Sequence, residues 1–92
     1  MIYPFMTLND ETEIVHSEAF QQNGKEVVRV YIEQPVDGGF NSAECFLPDY
    51  NWTKIEGFSK ERIQYFQEFL ESTAHIIIKL ARTGGFDNAS GF

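Results

Sequence analysis

Up to about residue 56 the chain alternates apolar and polar side chains. From about residue 59 to 83 its apolar positions recur every three or four residues. The first rhythm is that of strands and the second that of a helix. "IYPFMT" (2–7) predicts a short strand, and Pro4, which cannot donate to a ladder, places it at a sheet edge. "LNDET" then reads as a turn.

The strongest local signal is "EIVHSEAFQQNGKEVVRVYIEQ". Its Asn23-Gly24 pair suits a two-residue hairpin turn in which both residues need positive φ. A regular hairpin on that turn sets Gln22 opposite Lys25, Phe20 opposite Val27, Glu18 opposite Arg29, His16 opposite Tyr31 and Ile14 opposite Glu33. Val15, Ser17 and Ala19 then face Ile32, Val30 and Val28 on the other side. That second face is almost wholly apolar and is the expected core side; Ile14, Phe20, Val27 and Tyr31 are expected to point outward. Pro35 ends the third strand and "VDGG" turns the chain. "FNSAECFL" (40–47) forms a fourth strand with Ala43, Cys45 and Leu47 inward, and Phe40 and Phe46 outward. "YNWTKIEGF" is expected to be extended or irregular.

Ser59 can cap the free N–H groups of a following helix, and Phe58 can staple onto Ile63. Ile63, Phe66, Leu70, Ala74, Ile77 and Ala81 then keep the helical period, and Phe69, Ile76 and Leu80 widen the stripe. Gln64, Glu68, Glu71, His75, Lys79 and Arg82 make the polar face. Thr83-Gly84-Gly85 is a stop, because glycine takes the left-handed position after a helix without strain. The expectation is one α+β domain over 1–92, with strands over 1–56, a helix over 59–83 and an ordered tail over 84–92. Its antiparallel meander sheet of four to five strands carries the single long C-terminal helix on one face, in the order β-β-β-β-α. In the tail, Phe86 and Phe92 are expected to return to the core. The alternative is a docking peptide that ends on an aromatic.

Charge narrows the partners. The formal net charge is −7. Residues 1–24 and 33–53 contain no Lys or Arg. Direct nucleic-acid binding and attachment to an anionic membrane are therefore not expected, since both rest on clustered bases. The acid is expected first to keep a small protein in solution; the sharper alternative is that it faces a basic partner or mimics nucleic acid. Cys45 is the single cysteine, so no internal disulfide can form, which suits a reducing compartment. "MIYPFMTLND" lacks the basic and apolar regions of a signal peptide, and no apolar run is long enough for a bilayer. A cytoplasmic location is the expectation.

"YPFMTLNDETEIVHS", "EQPVDGGFNSAECFLPDY" and "FQEFLESTAHIIIKLARTGGFDNAS" together resemble a family of short proteins from Gram-positive gut anaerobes, over most of the chain. The resemblance implies a cytoplasmic bacterial origin and carriage on mobile elements. It brings no activity, cofactor or catalytic residue with it.

Candidate chemistry is sparse. Glu71, His75 and Lys79 stand one turn apart on the helix, where a carboxylate could orient a basic histidine, but ordinary surface pairing explains them as well. His16 faces Tyr31 in the expected register, a cross-strand aromatic pair. The two histidines and Cys45 lack zinc-ligand spacing, and the Gly-Gly pairs lack that of a phosphate loop, so neither metal nor cofactor is expected. Cys45 reads as a small buried hydrophobe rather than a nucleophile. What remains is surface: Ile14, Phe20, Val27, Tyr31, Phe40 and Phe46 outward on the sheet, with Tyr50 and Trp52 beside them. The expected function is a non-enzymatic protein-interaction module that self-associates through this sheet as a homodimer. The alternatives are an acidic, antitoxin-like inhibitor that covers a basic protein or mimics nucleic acid, and a small enzyme using His75 or His16.

Overall fold

The computed structural model describes residues 2–84. Its elements are β1 (Ile2–Thr7), β2 (Glu13–Ser17), β3 (Phe20–Gln22), β4 (Lys25–Val36), β5 (Gly39–Leu47), β6 (Asn51–Glu56) and α1 (Lys60–Thr83). The strands form one antiparallel sheet in the order β1-β2-β4-β5-β6, with β3 also paired to β4. The fold is thus α+β with a C-terminal helix, and the sheet is larger than expected. β3 is a separate short strand, and residues 51–56, read as extended or irregular, form an edge strand.

The Asn23-Gly24 turn forms as its sequence requires, with both residues at positive φ (53° and 78°). Phe20 faces Val27 and Gln22 faces Lys25, as the turn dictates. Beyond Phe20 the register shifts by one residue. His16 pairs with Val30 and Ile14 with Ile32, in place of Tyr31 and Glu33. Ser17, Glu18 and Ala19 thus oppose only Val28 and Arg29, so the strand bulges there. The bulge is held by Ser17: its Oγ accepts the Arg29 N–H at 3.0 Å and donates to the Glu18 carbonyl at 2.7 Å. The Ala19 N–H donates to the Ala81 carbonyl at 3.3 Å, which gives one of the last helix carbonyls a partner.

Because side chains alternate along a strand, this one-residue shift inverts β2. Ile14 and His16 point into the core and Val15 points out, opposite to the regular-hairpin expectation. β4 and β5 keep the expected phase. Val28, Val30, Ile32, Ala43, Cys45 and Leu47 are buried beneath Phe66, Leu70, Ala74, Ile77 and Ala81 of α1. Each large side chain so enclosed contributes about 1.5–3 kcal/mol.

Ser59 caps α1 by accepting the Arg62 N–H at 3.1 Å. Phe58 packs edge-on against Phe66, with ring centroids 5.1 Å apart. Gly84 closes the helix at φ 90°, its N–H donating to the Leu80 carbonyl. Ile76, expected in the apolar stripe, lies on the exposed side. Gly57 follows β6 at φ 90°, a conformation that strains any other side chain, and an added Cβ would lie 2.0 Å from Asn41 Oδ1 and displace that amide. Asp10 accepts from Arg62 at 2.7 Å and from Gln34 at 3.4 Å, tying the β1–β2 loop to both helix and sheet.

Candidate protein-docking surface

The expected outward aromatic surface is largely closed. Ile14, expected there, is only 1% exposed and belongs to the core, because the bulge reverses its strand. Val27 does face outward but is buried, and Phe20, Tyr31 and Phe46 are half-buried around it. Arg29 roofs this cluster. Its guanidinium carbon lies 5.8, 5.7 and 5.3 Å from the ring centres of Phe20, Tyr31 and Phe46, distances suited to cation–π attraction. One guanidinium N–H donates to the Tyr31 hydroxyl at 2.9 Å, and Glu44 lies 3.8 Å from its Nε. The arginine stem and head thus replace the second layer such a face would otherwise need. Tyr50 and Trp52 pack against the hydrophobic core instead of the outer cluster. The Trp52 Nε1–H donates to Gln67 Oε1 of α1 at 2.8 Å. Phe86 and Phe92 lie outside the described residues.

Phe40 behaves differently. It is 65% exposed, opposite Pro35 where β4 and β5 turn over. With Pro35, Thr7, Glu11, Glu13 and Glu33 it lines an open groove of about 410 Å³. Two local costs converge there. Glu13 and Glu33 are direct cross-strand partners, an arrangement that like charges disfavour. Glu11 is held at φ 67°, a left-handed conformation uncommon for a glutamate, in a loop closed by Leu8 N–H to the Thr12 carbonyl at 2.8 Å. Ion pairs among the described residues include Lys25–Asp49, Arg29–Glu44, Lys54–Glu56, Arg62–Asp10 and Arg82–Glu26. None of these reaches the groove. The groove was not legible as a site in the sequence, although Phe40 was. The signal it offered was the run of acids without a base at residues 1–24 and 33–53.

The residues weighed for chemistry are dispersed. His16 is wholly enclosed, with the rings of Tyr3 and Phe5 at 5.6 and 6.5 Å. Its Nδ1 lies 2.7 Å from the Ser17 carbonyl and so carries the proton, leaving Nε2 a buried acceptor with no partner among the described residues. Burial depresses its pKa below the ordinary histidine value, against the opposing pull of the Ser17 carbonyl. Cys45 is also enclosed, and burial pushes its thiol up to about 12, so it stays protonated and unreactive at neutral pH. His75 lies on the exposed face of α1, and Glu71 accepts from Gln67 at 2.9 Å. Among the described residues, no cluster of three or more His, Cys, Asp or Glu is arranged to hold a metal ion. No helix there is long and apolar enough to cross a membrane. A scan against protein-family models finds no match to this chain, and searches of curated proteins and of solved structures likewise return none.

Proposed function

We propose that this protein is a non-enzymatic interaction module that uses the Phe40 groove to receive a basic segment of another protein. The observation that carries this reading is a ring set two-thirds open to solvent beside three carboxylates that none of the ion pairs found among the described residues engages. An apolar side chain of the partner would rest on Phe40 and Pro35, and flanking Lys or Arg would relieve the repulsion between Glu13 and Glu33. The strained Glu11 and the like-charged pair are costs that a bound cation turns to advantage. Binding is favoured over catalysis because one histidine is sealed in the core, the other stands on an open helix face, and the thiol is held protonated.

Amide chemical shifts followed during titration with a short Lys-Leu-Lys peptide test this directly. Shifts should cluster at Glu11, Glu13, Glu33 and Phe40, fade as salt screens the charges, and vanish in Phe40→Ala. Uniform shifts, or shifts confined to α1, would contradict the reading.

A further inference from the structure

Among the described residues β1, β3 and β6 each pair on one flank alone, and β3 is only three residues long, too short to serve as a template. An open flank is a template for another strand unless something blunts it. β1 is blunted: Pro4 has no N–H to offer, and its ladder slips between Pro4 and Met6. On β6 the irregularity is confined to Thr53, the extra residue between the Glu44–Lys54 and Cys45–Trp52 pairs. Past it, Lys54, Ile55 and Glu56 run in regular register against Glu44, Ala43 and Ser42. All three are exposed, Ile55 at 46%.

Backbone N–H and C=O groups on a strand point alternately toward its neighbour and away from it. Two copies of one strand can therefore pair antiparallel only in registers centred on a residue, since any other would set an outward-pointing residue against an inward-pointing one. For the regular part of β6 this leaves three choices. Centring on Lys54 sets Lys54 against Lys54, and centring on Glu56 sets Glu56 against Glu56. Centring on Ile55 sets each Lys54 against the partner's Glu56 and brings the two Ile55 side chains together.

We infer that β6 is a self-pairing edge, and that its partner is a second copy of this chain in the antiparallel register centred on Ile55. Lys54 and Glu56 already lie on one face, 3.2 Å apart within the strand, so pairing builds a four-membered square of alternating charge. Ile55 lies on the core side opposite Ala43, so the two isoleucines extend the apolar layer from one copy into the next. The two-fold axis through Ile55 keeps both helices on the same side of one continuous sheet. Self-association thus runs through an edge and not through the sheet face, and it uses none of the residues that line the Phe40 groove.

Sedimentation equilibrium of the full chain over a wide concentration range tests this, with Lys54→Glu and Glu56→Lys as variants at exposed positions whose folding is checked by thermal melts. The wild-type protein should dimerise reversibly, and each variant alone should associate at least about tenfold more weakly, because both charge pairs become like-charged. An equimolar mixture of the two variants should recover the wild-type affinity as a heterodimer, since each then supplies the charge the other needs. A wild-type protein that stays monomeric, variants that dimerise as well as it does, or a mixture that fails to recover would each overturn the inference.

Discussion

Ser17 decides more of this fold than its size suggests. Its hydroxyl bridges the Arg29 N–H and the Glu18 carbonyl, and so holds the bulge that turns Ile14 and His16 inward. Ser17→Ala would leave the Arg29 N–H without its partner at a half-buried position, and should cost about 1–3 kcal/mol in a urea melt. A change within error would show that the backbone holds the bulge unaided. His16 carries a second consequence. Its folded-state pKa is depressed by burial, so the unfolded chain binds the proton first as pH falls. Stability should be full above about pH 6.5, the unfolded value, and should decline as pH drops below it toward the folded value. Melts at about pH 7.5 and about pH 5.5 should show this loss in the wild-type protein and a flatter response in His16→Phe, which cannot titrate. Equal pH sensitivity in the two proteins would remove His16 as the cause.

At the scale of elements, what could be read in advance was whatever repeats without interruption. The helix is legible from its period, from Ser59 at one end and from Gly84 at the other. The inward residues of β4 and β5 are legible because both strands run in even alternation against each other from Val28–Leu47 to Val36–Gly39. β2 was misread because a bulge leaves no mark on hydrophobicity. "EIVHSEAF" alternates plausibly in either phase, and a regular hairpin put His16 outside. The outer aromatic surface misled for a related reason. Phe20, Tyr31 and Phe46 are outward, yet Arg29 covers them, and a charged residue is not readily foreseen as a roof. β6 is legible only as extended or irregular chain, because "NWTKIE" alternates poorly across its extra residue, Thr53.

For the whole molecule the net charge of −7 is less informative than where it is neutralised. Arg62, Arg82, Lys25 and Arg29 are spent on ties across the fold and Lys54 on a neighbour in its own strand, and none of these described pairs engages the acids around Phe40. That predicts a trade between stability and binding. Glu33→Lys converts a like-charged cross-strand pair into an opposite one, and should stabilise the fold by about 0.5–1 kcal/mol while weakening attraction for a basic partner. The most direct measurement is affinity capture from lysate of the protein's own source cell, with wild-type and Glu33→Lys/Phe40→Ala proteins compared by mass spectrometry at low and high salt. The account predicts a basic protein that the wild type retains at low salt and loses at high salt, and that the double variant never retains. An identical captured set for the two proteins, insensitive to salt, would contradict it.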